Sequence, residues 1–268
     1  MRRLVHLSDL HFGRERPDLI GPLLEAIATL APDLVAVSGD MTQRARDVEF
    51  RAARAFLDAV PAPVLVVPGN HDVPLHLPLH RMIAPWGGWR RWIGHDLEPV
   101  HEDAEMTVVG VNTVDPLSWQ TGRLSRRRLA RACERLGASP GARLRVVVAH
   151  HPLVHPVGSR KSPIPGAAAA LRRLRGCGAD LILSGHLHAW HVGPFAEEEE
   201  GSAIQLHAGT GLSTRVRGEP NDFNLVELRP DRIAVTRHVA DAGAYAPRET
   251  RAFVPGRRGW TTVPPEEP

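Results

Sequence analysis

Lysine is almost missing from this 268-residue chain: Lys161 stands alone, and arginine supplies the rest of its 33 basic side chains. The net charge of +3 favours anionic partners such as phosphate esters, but it lacks the basic excess of a dedicated nucleic-acid binder. Two cysteines, Cys133 and Cys177, are too few for a disulfide framework, so a reducing compartment is expected, with the cytoplasm as the default. No apolar run approaches the roughly 18 residues of a membrane span. The opening Met1–Leu7 stretch, broken by His6, lacks the sustained apolar region of a secretion signal, and Arg2-Arg3 alone is no twin-arginine signal. Internal repeats are absent too, and the one low-complexity segment, Glu197–Glu200, reads as a solvated acidic turn.

What is present is an ordinary globular composition, 43% hydrophobic and 24% charged, long enough for one large domain. Apolar runs alternate with helical patterns. Strands are expected at Leu4–Leu7, Asp33–Ser38, Val64–Val67, Met106–Asn112, Leu144–Ala149 and Asp180–Leu183, and helices at Leu19–Leu30, Val48–Val60, Ser125–Leu136 and Gly166–Arg175. From Trp190 the pattern turns to strands without helices: Trp190–Phe195, Ala203–His207, Phe223–Leu228 and Ile233–His238. This order predicts a mixed α/β sheet flanked by helices, with the late strands forming a second sheet against it. Residues 1–254 read as the domain, and the Pro-rich, polar 255–268 as a loop-like tail. Trp86, Trp89 and Trp92, at three-residue spacing in an irregular stretch, are read as core packing rather than as a substrate cap or dimer contact.

The polar residues at the strand ends carry the chemistry. Asp9 and His11 follow the first strand, Gly39-Asp40 the second, Gly69-Asn70-His71-Asp72 the third; His150-His151 and Gly185-His186-Leu187-His188 end two later ones. Ligands of open α/β sheets gather at the carboxyl ends of strands, so these five ends should converge in one cleft. In an extended Asp-x-His or His-x-His, alternate side chains share a side, so each pair reaches one centre. Asp40 offers two oxygens able to bridge two cations, and Asn70 a neutral amide oxygen. Mixed nitrogen and oxygen donors suit Mn, Fe or Zn better than Mg or Ca. Each motif alone is weak; five in this order are specific.

The series Asp-x-His, Gly-Asp, Gly-Asn-His-Asp, His and Gly-His-x-His resembles the calcineurin-like metallophosphoesterases over residues 9–188. It looks most like their bacterial class III cyclic-nucleotide phosphodiesterase branch. The resemblance implies a four-layer α-β-β-α sandwich of two mixed sheets flanked by helices. It further implies one metal held by Asp9, His11, Asp40 and His188 and a second by Asp40, Asn70, His150 and His186. The family pattern selects His150 over its neighbour His151.

Two such ions would neutralise the phosphoryl charge and activate a water for in-line attack. His71 would protonate the leaving group or stabilise the transition state, and Asp72 would orient its ring. The expected substrate is a small phosphoester, in the first place a nucleotide diester such as 3′,5′-cyclic AMP. Alternatives are a nuclease, a nucleotide-sugar or lipid diphosphate hydrolase, or a non-catalytic scaffold of the same fold. The histidine at His71, where the lipid-precursor hydrolases usually carry arginine, argues against the second. The complete ligand set argues against the third. Arg-rich segments Arg126–Arg131 and Arg172–Arg175 read as solvated helix faces rather than a nuclease groove. The sequence leaves open a homodimer, and whether Arg215, Arg217 and Asn221 touch substrate. His6, His76, His80, His95, His101, His155, His191, His207 and His238 receive no metal role.

Overall fold

Side chains in β1 (Arg2–Leu7) alternate between two faces, and both faces are apolar: Leu4 enters one core cluster, Val5 and Leu7 another. β2 (Leu34–Val37) repeats the division, with Leu34 and Ala36 on one side and Val35 and Val37 on the other. A sheet covered on both faces has no polar side to alternate with, which is why these strands read as continuous apolar runs. This computed structural model describes residues 1–75, 78–138, 143–155, 163–194 and 203–265. His76, Lys161, Phe195 and the acidic run Glu197–Glu200 lie outside the described residues.

The first sheet continues from β1 and β2 to β3 (Val64–Val66) on one side. On the other it runs through β10 (Asp222–Arg229), β11 (Arg232–Asp241), β12 (Ala244–Gly256) and β13 (Gly259–Val263). The second sheet has the order β4 (Val100–Glu102), β5 (Met106–Val111), β6 (Leu144–Ala149), β7 (Leu181–Ser184), β9 (Ile204–His207) and β8 (His191–Pro194). β1, β2 and β3 are parallel, as are β5, β6, β7 and β9; the outer strands are antiparallel. Inward faces of both sheets, from Leu4 to Val148, Leu183 and Phe253, make one core between them.

Helices cover the outer faces. α1 (Pro17–Leu30) and α2 (Asp47–Ala59) pack on the first sheet through Leu19, Leu23, Ile27, Phe50 and Phe56, with α4 (Gly87–Trp92) beside them. α5 (Arg126–Gly137) and α6 (Ala167–Gly176) cover the second through Leu136, Leu171 and Leu174. The short α3 (Pro78–Ile83) precedes α4. The four-layer α-β-β-α architecture is therefore present.

Three expectations need correction, and the inward packing expected of the tryptophans is met. The late strands do not form a sheet of their own: β10 pairs antiparallel with β1 and carries β11 to β13 into the first sheet, while β8 and β9 join the second. The stretch read as a tail contains β13, whose Trp260 is buried in the inter-sheet core and donates its indole N–H to Asp180 at 3.0 Å. Polar residues and Pro255 masked that strand in the sequence. The Trp-rich stretch is helical and packs inward: Trp89 is 1% exposed, with Trp86 and Trp92 against the same cluster. Cys133 on α5 and Cys177 at the end of α6 are joined in a disulfide, Cα to Cα 5.2 Å, so cysteine usage no longer argues for a reducing compartment. Among the described residues, no helix is long and apolar enough to cross a membrane.

Candidate metal centre

The five chemistry-bearing motifs leave the same end of the two sheets, and hydrogen bonds lock their loops together. Asp9 donates its N–H to the Gly39 carbonyl at 3.1 Å and His11 to that of Asp40 at 2.9 Å. The His186 N–H reaches Asp9 Oδ2 at 2.9 Å, and the His71 N–H reaches Asp40 Oδ1 at 2.8 Å. Two glycines permit the approach. A Cβ on Gly69 would fall 2.1 Å from Asp40 Oδ1, and one on Gly185 would fall 1.8 Å from Ser8 Oγ.

The side chains converge by a backbone device other than the expected extended alternation. Asp9, His11, Asp40, His186 and His188 all have left-handed backbone, with φ of 53, 50, 52, 69 and 55°. Such conformations cost a non-glycine residue about 1–3 kcal/mol each and persist only where the surroundings impose them.

All seven expected ligands are buried; the six His and Asp side chains fall into groups of neighbouring ligand atoms, and Asn70 joins them through His150 and His186. Asp9 Oδ1 is 3.1 Å from His188 Nε2 and 3.5 Å from His11 Nε2. Asp40 Oδ2 is 3.6 Å from His11 Nε2 and 3.5 Å from His150 Nε2. Asn70 donates its amide N–H to the Trp119 carbonyl at 3.4 Å, which turns Oδ1 toward His150 Nε2 at 3.1 Å and His186 Nδ1 at 3.0 Å.

Tautomers decide what this cluster accommodates. His150 donates from Nδ1 to the Ser38 carbonyl at 2.8 Å, and His188 from Nδ1 to the Arg215 carbonyl at 2.9 Å. In a neutral ring the lone pair then sits on Nε2. For His150 that lone pair faces the oxygens of Asn70 and Asp40; for His188 it faces Asp9 Oδ1, which has no hydrogen-bond partner of its own. Acceptors aimed at acceptors in a buried space repel unless a cation lies between them. Burial opposes ionisation of Asp9, yet a proton taken up by His188, His11 or His150 would outweigh it and hold the carboxyl well below its usual value. Asp40 is likewise lowered against burial, by His150, His71 and His11. The donor set thus fits divalent metal ions.

His151 is differently engaged: its Nδ1 meets the Thr113 hydroxyl at 2.9 Å and its Nε2 the Gln120 carbonyl at 3.1 Å. Its position close to His150 and His186 would admit it geometrically, yet both nitrogens already have oxygen partners. His71 also lies within reach of His11 and Asp40, but its Nδ1 donates to the Gln43 carbonyl at 2.7 Å and its Nε2 accepts from Arg215 Nη1 at 3.0 Å. Burial lowers its pKa from the ordinary histidine value, only partly opposed by Asp40.

The ring-orienting contact expected of Asp72 is made by Gln43 instead. Asp72 accepts from the N–H groups of Gly69 at 2.9 Å, Thr42 at 2.8 Å and Met41 at 3.2 Å, tying the second and third loops together. Burial foremost, and then Asp40, push its pKa up to about 7. Of the three residues left open, Asn221 is buried and donates to the Thr210 and Ser213 carbonyls at 3.2 and 2.9 Å, shaping its own loop. Arg217 is exposed. Arg215 alone of the three meets an expected site residue by hydrogen bonding.

A calcineurin-like phosphoesterase family model matches residues 2–190. The chain belongs to this family. It is 26% identical over 212 residues to a probable cyclic nucleotide phosphodiesterase of Synechococcus, covering 75% of this chain and 74% of that protein. It is 36% identical over 80 residues to a glycerophosphodiester phosphodiesterase of Enterobacter lignolyticus, a stretch that is 26% of this chain and 29% of that one. Among solved structures, a purple acid phosphatase from yellow lupin superposes with a TM-score of 0.69 at 13% identity, over 93% of this chain and 53% of the lupin one. That likeness shows the fold alone. Membership of the family supports a phosphoric ester hydrolase. In this calcineurin-like phosphoesterase the strand-end motifs were readable in sequence; the carbonyls of Ser38, Gln43 and Arg215, which set the imidazole tautomers, were not, because any residue type supplies a carbonyl. Trp119, 65% exposed at the rim, was not singled out either.

Proposed function

We propose that the chain is a binuclear metal-dependent phosphodiesterase acting on small diesters, with nucleotides such as 3′,5′-cyclic AMP as the leading substrate class. The observation carrying this reading is the set of imidazole lone pairs aimed at the oxygens of Asp9, Asp40 and Asn70. Asp9, His11, Asp40 and His188 would hold one ion and Asp40, Asn70, His150 and His186 the other. Mn, Fe or Zn suits these donors. When bound, the pair supplies charge neutralisation at the phosphoryl group and an acidified water.

The chain's own groups do the rest. The carbonyls of Ser38 and Arg215 keep Nε2 of His150 and His188 unprotonated and inward. His71 has Nδ1 committed to Gln43, which leaves Nε2 as the nitrogen that would take up a proton from solvent and pass it to the leaving oxygen. Asp40 steadies that histidine through the His71 N–H and through its charge. The diester preference is supported by the names of two relatives.

The test is a parallel assay with Mn(II) on a generic phosphodiester, a phosphomonoester, cyclic AMP and single-stranded DNA. The expected order places the two small diesters first. His71→Ala should lower kcat by about 10²- to 10⁴-fold with metal content unchanged. Near-normal turnover in that variant, or a monoester preference in the wild type, would sink the proposal.

A further inference from the structure

Among the described residues, Arg215 has no acidic partner for its positive charge. Elsewhere on the chain, Arg237 pairs with Asp222 and Glu219, and Arg91 with Asp47. Among the described residues Arg215 has no such ion pair; its Nη1 is 3.0 Å from His71 Nε2 and 3.4 Å from Gln43 Oε1, two neutral acceptors. The guanidinium is half-buried and lies beside a residue adjoining the metal cluster. A planar cation with five donors matches phosphoryl oxygens better than it matches a single imidazole nitrogen.

The backbone of Arg215 is held independently of its side chain. The preceding residue Thr214 donates both its N–H and its hydroxyl to the Arg14 carbonyl, at 2.8 and 2.9 Å. Arg215 N–H donates to Ser213 Oγ at 3.0 Å, and the Ser213 carbonyl is held by Asn221 at 2.9 Å. The Arg215 carbonyl that fixes His188 therefore stays in place when the side chain is changed. Two functions meet at one residue, and substitution separates them.

We propose that Arg215 is the phosphoryl-binding cation of the site, resting on His71 and Gln43 until a substrate phosphate takes their place. The proposal deepens the phosphodiesterase reading and rests on it for the identity of the anion. Turning toward the phosphate would also release His71 Nε2 for the leaving oxygen, so binding and proton exchange would share one movement.

The experiment measures inorganic phosphate binding by calorimetry to the Mn(II)-loaded protein as wild type, Arg215→Gln and Arg215→Lys, alongside metal content and generic diester hydrolysis. Arg215→Gln should weaken phosphate binding and lower kcat/KM by about ten- to a hundredfold. Metal content should stay unchanged, and Arg215→Lys should fall between. Millimolar guanidinium should restore part of the activity of Arg215→Gln and none to the wild type. Phosphate affinity within twofold of wild type in Arg215→Gln overturns the proposal, as does loss of bound metal, which would mark a merely structural role. If the wild type hydrolyses no diester yet phosphate binding weakens as expected, the anion site stands and the phosphodiesterase reading falls.

Discussion

Two regions of the molecule, the loops of the candidate centre and the antiparallel hairpins of the first sheet, obey different rules. Of the eight non-glycine residues with left-handed backbone among the described residues, five are expected ligands in the loops of the candidate centre. In the antiparallel hairpins β10 to β13, left-handed backbone serves a turn instead: Ala242 and Gly243, with φ of 47 and 83°, link β11 to β12. Consecutive positive φ values there match the twist of the strands they join. In the hairpins a strained residue lets the chain reverse; at the cluster it aims a side chain. Strain at the cluster persists because loops from both sheets over-determine it, so the stability that tolerates it comes from the cores elsewhere.

Asp40→Ala should break this comparison most severely. Under the proposed centre it removes the bridging carboxylate, the acceptor of the His71 N–H and the side chain of a left-handed residue. Activity should fall by at least about a thousandfold, with metal lost from the purified protein by elemental analysis. Metal retained at full occupancy would remove Asp40 from the bridge. Asp40→Asn, which tolerates left-handed backbone, should also lose activity while keeping the metal-free protein closer to wild type in thermal stability.

Trp260→Ala probes the other region. Its buried indole and its bond to Asp180 belong to the core between the sheets, and truncation should cost about 3–5 kcal/mol in denaturant unfolding. Specific activity of the folded fraction should stay near wild type. A large loss of kcat without a loss of stability would couple the hairpins to the centre and erase the distinction.

The fold was legible wherever both faces of a strand are buried, because Leu4–Leu7 or Leu144–Ala149 cannot be mistaken for a solvated surface. It was illegible in β12, where Pro247 and charged residues interrupt the pattern next to a register shift at Arg237 and His238. A proline is tolerated there because β13 pairs only with Ala252–Gly256, leaving Pro247 on an unpaired edge. The converging residue types of the candidate centre were likewise readable, since Asp, Asn and His after apolar runs are chemically conspicuous. What escaped was the means of convergence: backbone handedness has no residue signature when Asp and His adopt it. Arg215 escaped as a contact because it lies 144 residues from His71. The cysteine pair escaped because two cysteines 44 residues apart say nothing about where two helices pack.

His207 sharpens the comparison by the smallest and most specific effect. It ends β9 beside Ser184 at the same end of the second sheet as the cluster, is fully buried, and has no acidic partner among the described residues. Neither ring nitrogen has a hydrogen-bond partner among the described residues. Burial, aided by His191, His155 and His6, lowers its pKa to about 3. The unfolded chain, near 6.5, therefore binds the proton first as pH falls, and the stability of the neutral folded form, full above about 6.5, is lost progressively toward about 3. Between pH 7 and 5 the loss from this one group should be about 2 kcal/mol, a value insensitive to the folded pKa so long as it stays below about 4. His207→Leu should make the unfolding free energy less pH-dependent by that amount, with no loss of stability at pH 7, since it removes two buried nitrogens that lack partners. Parallel pH profiles for the two proteins would mean that His207 gains its proton in the folded state, and that this end of the sheet holds more charge than its acidic residues and imidazoles imply.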